Sequence, residues 1–210
     1  MERKDYINDI LGREWEMFQK VQNTGGRASC QDDPNSFRIM RGSQFEAWND
    51  AMLASYQQDL IRAEEEGRNL LTEKYGYMMK WTHPEEYRYI QEQLPPVSEE
   101  KMQVIELILA IEIKQTKKFR EMYPYLGRCG RPLTEAENDG GTSVETYSRG
   151  ELMTYSLDTL KQYLLHICKL EQSKILFPLK VMKATVLASG YLSLDEAEYM
   201  CRKNAEKGRA

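Results

Sequence analysis

Histidine is scarce in this chain, with two among 210 residues. Helical proteins that hold paired metals between their helices draw a Glu-x-x-His motif from each of two helices. Here the residues three before the histidines are Lys80 (for His83) and Tyr163 (for His166), so no histidine–carboxylate di-metal site is expected and no cofactor is indicated. Cysteine is also sparse and scattered. Cys30, Cys129, Cys168 and Cys201 form no C-x-x-C pair, which excludes a dense disulfide framework and the common zinc and redox motifs. A long apolar run is missing too. The most apolar segment has Leu107 to Ile111 free of polar residues, bracketed by Glu106 and Glu112. A membrane crossing needs roughly 20 apolar residues, so no spanning segment is expected. Nor is there an excess of positive charge: the net charge of −4 and pI of about 5.5 speak against non-specific attraction to a phosphate backbone, and a nucleic-acid partner is disfavoured. The charged start, Met1-Glu2-Arg3-Lys4-Asp5, is unlike a secretory signal, and with unpaired cysteines it points to a reducing cytoplasm.

What is present is helical periodicity. Ile7, Leu11, Trp15, Phe18 and Val21 recur at steps of three and four, and Asn23-Thr24-Gly25-Gly26 stops that helix. Asp33-Pro34 reads as an N-cap with proline at the first helical position, opening a short helix with Phe37, Ile39 and Met40. Ser43-x-x-Glu46 has capping-box spacing and predicts a new helix through Phe45, Trp48, Met52, Tyr56 and Leu60 to about Gly67. Further helices follow through Leu71 to Met79 and, after Thr82-His83-Pro84, through Tyr87 to Leu94. After Pro95-Pro96, Ser98 caps a helix that is apolar from Val104 to Ile113 except at Glu106 and Glu112, which predicts a central helix buried all round, with Glu106 a buried acid. The stretch 123–141 shows no period and predicts a long irregular loop. Thr142-x-x-Glu145 is a second capping box, opening a helix that carries Met153, Leu157, Leu160, Leu164 and Ile167. Two more helices run to Gly190 and from Ser193-x-x-Glu196 into a frayed tail at 204–210. The reading is all-α, one domain over 1–210, a bundle of about six to eight helices with two Gly-rich polar loops.

Those loops carry the functional expectation. In the first, Thr24 to Asp33, adjacent glycines can turn backbone N–H groups to one side as an anion nest, with Arg27 and Ser29 adding charge and a donor. In the second, Gly140-Gly141-Thr142-Ser143 leads into a helix N-terminus, where free N–H groups and the dipole favour an anion; Arg128, Arg131 and Arg149 lie nearby in sequence. A module binding a small anionic or phosphorylated ligand would use Arg27, Ser29, Arg41, Thr142, Ser143 and Arg149. An enzyme using the same pocket would draw its chemical group from Cys30, Glu73, Glu145 or Glu151, with Tyr75, Tyr147 and Tyr155 at the rim. A carboxylate-only magnesium or calcium site would use Asp32, Asp33, Glu145 or Glu151. Ordinary helix-to-helix turns explain both loops equally well. Eleven methionines and thirteen tyrosines also suit an interaction bundle that binds a protein partner or a second copy of itself.

These same residues carry a family resemblance. Glu14-Trp15 with Met17-Phe18, Gly26 to Asp32, Met40-Arg41, Ser55-Tyr56, Asp59-Leu60, Asn69-Leu70, Glu73-Lys74-Tyr75 and Met78-Met79 belong to it. So do Arg131-Pro132, Thr142-Ser143, Glu145-Thr146-Tyr147, Gly150-Glu151-Leu152 and Tyr155-Ser156. Over most of its length the chain resembles the bacterial domain-of-unknown-function family 4125. The resemblance carries no catalytic role. The occurrence of relatives alongside a nucleotidyltransferase-like domain implies an accessory place near nucleotide chemistry.

Overall fold

Side-chain caps mark where most of the longer helices begin. In the computed structural model, which describes all residues except 1, 23–25, 135, 137–140 and 208–210, α1 spans Arg3–Gln19 and α2 spans Pro34–Ala47. The α2 cap is Asp33, whose carboxylate accepts the Ser36 N–H at 2.9 Å. Asn49 caps α3 (Asp50–Glu65), and Asn69 caps α4 (Leu70–Thr82) by accepting the Leu71 and Thr72 N–H groups. Between α3 and α4 the chain turns at Gly67, whose φ of +68° is the left-handed conformation glycine takes without strain. His83-Pro84 ends α4 and starts α5 (Pro84–Ile90), and Ser98 caps α6 (Glu99–Met122). Then come α7 (Pro124–Arg128), α8 (Val144–Thr154), α9 (Leu157–Gln172), α10 (Phe177–Ala188) and α11 (Leu194–Lys207). Every regular element among the described residues is helical, and none is long and apolar enough to cross a membrane.

Eleven α-helices among the described residues replace the expected six to eight, and each extra one has an identifiable cause. The predicted irregular stretch 123–141 contains α7, because the N–H groups of Tyr125 and Leu126 are satisfied from a distance by the Glu198 carboxylate at 3.0 and 2.7 Å. The helix expected to run from Thr142 past Ile167 is two helices, broken where Ser156 turns to extended backbone and caps α9 through the Thr159 N–H. Its first half is capped by Ser143 rather than Thr142. Ser43 starts no helix. It lies buried inside α2, and the break comes at Trp48-Asn49.

The helix α6 is not buried all round. Ile105, Ile108, Leu109, Glu112, Gln115 and Phe119 form its buried stripe, while Leu107 is 56% exposed. Glu106 lies off that stripe, half exposed and paired with Arg149, so the expected buried acid is Glu112 instead.

The main packing pairs are α4 with α8, α2 with α10, α1 with α3 and α6 with α9. Phe45, Trp48, Tyr56, Tyr155, Tyr163 and Phe177 form an aromatic knot in the largest core, with successive ring centroids 4.8 to 6.1 Å apart. A separate, smaller core of Phe119, Leu126, Val186 and Ala197 joins α6, α7, α10 and α11.

The α4–α8 contact depends on one missing side chain. A Cβ on Gly150 would stand 2.5 Å from Met78 Cγ and 2.9 Å from the Lys74 carbonyl oxygen. Gly150→Ala is therefore expected to force the two helices apart and lower stability by about 1–3 kcal/mol. Gly12, also mid-helix, has nothing within 4 Å of an added Cβ. Gly12→Ala should stabilise by about 0.5–1 kcal/mol through helix propensity alone. Urea unfolding of both variants measures the contrast, and a Gly150→Ala protein as stable as the parent would contradict it.

Candidate functional site

The close α4–α8 approach brings two buried charges together. Lys74 and Glu151, 2% and 5% exposed, meet at 2.5 Å between Nζ and Oε2. Glu151 also takes hydrogen bonds from Arg41 Nη1 at 3.0 and 3.2 Å and from the Tyr155 hydroxyl at 2.7 Å. From its other edge Arg41 makes a bidentate pair with Glu14 (2.8 and 2.6 Å), and the Tyr56 hydroxyl donates to Glu14 at 2.7 Å. The Lys74 ammonium lies 3.5 Å from the centre of the Tyr147 ring. Two cations and two carboxylates balance, and five helices (α1, α2, α3, α4 and α8) each supply a member. Burial by itself would raise Glu151, but Arg41 and Lys74 outweigh it and hold the carboxyl far below its ordinary range. The same attraction raises Lys74 and Arg41 against the opposing effect of burial. Burial pushes the Tyr56 and Tyr155 phenols well up, so they serve as donors.

Beside this network lies a cleft of about 300 Å³ between α2, α6, α7, α8, α9 and α10. Its walls are largely apolar, including Met40, Phe119, Leu126, Phe177, Val181 and Met182. At its inner end Gln44, Glu112, Tyr147, Ser148 and Tyr163 also line an adjoining recess of about 60 Å³ that reaches Glu151 and Tyr155. Gln44 bridges the two regions by accepting from Arg41 (2.7 Å) and donating to Glu151 (3.3 Å).

Glu112 differs from the other buried acids. It has no cation beside it among the described residues, and the Tyr163 hydroxyl donates to its Oε1. Its Oε2 is buried and takes no hydrogen bond of good geometry among the described residues, although the Ser148 hydroxyl stands close enough to the carboxyl to pull it down. Burial pushes the carboxyl up to about 7, against the downward pull of the Tyr163 and Ser148 hydroxyls and with a small upward push from Glu151. An acid poised near neutral pH at the end of an apolar cleft can accept from, or donate to, a bound molecule, and can take up or release a proton there.

Of the residues the sequence singled out, Arg41 and Glu151 meet in the network, and Tyr147 and Tyr155 join them there, Tyr155 fully buried rather than at a pocket rim. The other arginines have partners as well. Arg27 folds back on its own loop to Asp32 (2.8 Å) and the Gln31 carbonyl (2.8 Å). Arg149 binds Glu145 at 3.0 Å and Glu106. Arg131 lies over the Tyr147 ring at 4.3 Å. Ser143 is fully buried as the α8 cap, with Thr142 half-buried before it. Ser29 and Cys30 sit in the short 3-10 turn Ser29–Asp32, where Cys30 is exposed. Glu73 is clasped by Arg68 through two bonds of 2.8 Å. Burial raises Tyr75, and Tyr147 and Cys30 both stand close enough to add to that effect. Gly25 and Gly140, one from each glycine pair, lie outside the described residues, and with them the approach of the two loops. Among the described residues no group of three or more His, Cys, Asp or Glu is placed to hold a metal.

Glu14, Gln44, Glu112, Ser148 and Tyr163 were not singled out as site residues. Helical spacing could have found two of them, since Glu14 falls on the apolar face of α1 and Glu112 on that of α6. A carboxylate on a core stripe requires a partner or a proton. No curated protein and no solved structure matches the chain. The family described as a protein of unknown function, DUF4125, matches residues 4–199, so the chain belongs to the DUF4125 family.

Proposed function

We propose that the protein is a ligand-binding module whose site is the apolar cleft ending at Glu112, and that its ligand is a small molecule with an apolar body and an N–H or ammonium head. The observation that carries this reading is the buried Glu112 Oε2, an acceptor that takes no hydrogen bond of good geometry among the described residues at the inner end of that cleft. A donor group on the ligand supplies what the carboxylate lacks, and an amine does so as an ion pair in a dry setting. The apolar walls hold the body, while Gln44, Ser148 and Tyr163 fix the orientation of the head. A small anion between the glycine loops, the other reading, would have to displace carboxylates from Arg27, Arg41 and Arg149. An enzymatic role for Glu73, Glu145 or Glu151 would have to free each from a cation in the same way.

Thermal unfolding at pH 8 with phenethylamine, and separately with hexanoate, tests the proposal. At ten times Kd the amine should stabilise by about 1.4 kcal/mol, a rise of about 3–6 °C in Tm, and hexanoate should not. Glu112→Gln should abolish the shift. Equal behaviour of amine and carboxylate, or an amine shift that survives Glu112→Gln, would defeat the reading. Stabilisation by phosphorylated metabolites that disappears in Arg27→Ala would support the anion site instead.

A further inference from the structure

The four cysteines are far apart in sequence, but two of them meet. Cys129, just past the end of α7, and Cys201, within α11, have their sulfur atoms 3.4 Å apart across 72 residues of chain. The contact follows from how α11 is registered on α7. Glu198 accepts the N–H groups of Tyr125 and Leu126, which fixes the start of α7 against α11. Cys201 lies three residues beyond Glu198 on the same helical face, and Cys129 four residues beyond Tyr125, whose carbonyl its thiol also approaches at 3.4 Å. A disulfide needs about 2.05 Å between sulfurs, so closing the pair calls for a displacement of about 1.4 Å.

We propose that Cys129 and Cys201 form a peroxide-oxidisable thiol pair whose disulfide clamps the C-terminal helix onto the helix that walls the cleft. Cys129 is exposed and Cys201 partly buried, the arrangement of an attacked and a resolving thiol. Being the exposed thiol, Cys129 is the group a peroxide meets first, while burial and the neighbouring Cys129 thiol push Cys201 up to about 11. The Cys129 thiol attacks one peroxide oxygen, giving a sulfenic acid and one water. Cys201 sulfur then attacks the sulfenic sulfur. The S–O bond breaks, the hydroxyl leaves with the Cys201 proton as a second water, and the S–S bond forms. Two thiols lose two electrons in all, and hydrogen peroxide takes them.

The clamp has something to act on. The junction it spans is held by the small core of Phe119, Leu126, Val186 and Ala197 and by the Glu198 cap. Leu126 and Gly127 on α7 line the cleft, so a covalent tie at Cys129 restrains that wall. This inference rests on the position of α7 and not on which ligand the cleft takes.

Treatment of the full chain with hydrogen peroxide, followed by thiol counting under denaturing conditions and peptide mapping, tests the pair. The expected result is a fall from four titratable thiols to about two. It should come with a cross-linked peptide joining Cys129 to Cys201, full reversal by dithiothreitol, and slower amide exchange in 124–128 and 194–207. Cys201→Ser should leave no cross-link, and Cys30→Ser with Cys168→Ser should leave it unchanged. A cross-link mapped to Cys30 or Cys168, or Cys129 passing to sulfinic acid in the parent protein with no cross-link, would overturn the proposal. The parent map decides the question even if Cys201→Ser fails to fold.

Discussion

Replacing Arg41 by alanine is expected to cost about 3–5 kcal/mol of folding stability. That is a large part of the roughly 5–15 kcal/mol a domain typically has. The cause is charge left without a partner in a place water does not reach. Arg41 serves two carboxylates, Glu14 at 0% exposure and Glu151 at 5%. Without it Glu14 keeps only the Tyr56 hydroxyl among the contacts described above, and Glu151 keeps Lys74, Tyr155 and Gln44. The network then carries two buried anions and one cation. If charge balance is the cause, a second substitution should repair part of the damage. Arg41→Met combined with Glu14→Gln removes one charge of each sign and leaves the Lys74–Glu151 pair intact. The double variant should be more stable than the sum of the single effects by about 1–3 kcal/mol, read from urea unfolding of all four proteins. Strict additivity would mean that Arg41 contributes by filling space, and the charge argument would fail. The deficit of the single variant should also shrink as pH falls, because in the parent it is Arg41 first of all that holds Glu151 low. A carboxyl with a depressed folded pKa contributes stability above its unfolded value of 4.5, and that contribution fades as pH falls toward the folded one.

Most of the helical framework was legible in sequence because its stops and starts are local chemistry. Asp33-Pro34, Gly67, His83-Pro84, Ser98 and Gly190 mark boundaries at the positions where the structure has them. The errors arose where a distant partner overrides the local signal. The start of α7 is satisfied by Glu198, more than seventy residues away, and locally only Pro124 at its first position announces it. Ser43-x-x-Glu46 has the spacing of a capping box, yet Ser43 is buried within a helix that continues past it. For the site, composition drew the eye to the loops, because glycine, arginine and serine cluster there. The buried network instead draws its residues from several helices far apart in the chain, and sequence proximity cannot show that. The reading of Glu106 against Glu112 is the sharpest case. Counting apolar neighbours along the chain made Glu106 look enclosed. Following the stripe Ile105, Ile108, Leu109, Glu112, Gln115 places Glu112 inward and Glu106 off to the side. Angular position around the helix decides burial, and density along the chain does not.

Glu112→Gln is expected to make the protein more stable at pH 8, by up to about 3 kcal/mol. The sign follows from which state holds the proton. The folded carboxyl sits at about 7 and its ordinary value is 4.5. Between those two pH values the unfolded chain has released its proton and the folded chain has kept it. Stability therefore falls as pH rises through that window and levels off above it, once both states are ionised. Each pH unit across the window costs about 1.4 kcal/mol. Glutamine does not titrate, so the variant should lose this slope, and the two curves should converge below pH 4.5. Some of the gain will be offset, because the glutamine amide sets an N–H pair where the carboxylate had an oxygen. Urea unfolding of parent and variant from pH 4 to pH 8 reads the effect directly. If the curves stay parallel, Glu112 does not titrate in that window. The same substitution is the one expected to abolish binding of an amine in the cleft. An acid expected to weaken the fold at neutral pH, in a cleft where one of its oxygens takes no hydrogen bond of good geometry among the described residues, is hard to account for as a packing element. Core residues of similar shape would hold α6 against α9 better. Under the ligand-binding proposal, the expected stability cost falls on Glu112 because its polar group is kept for a ligand instead of the protein.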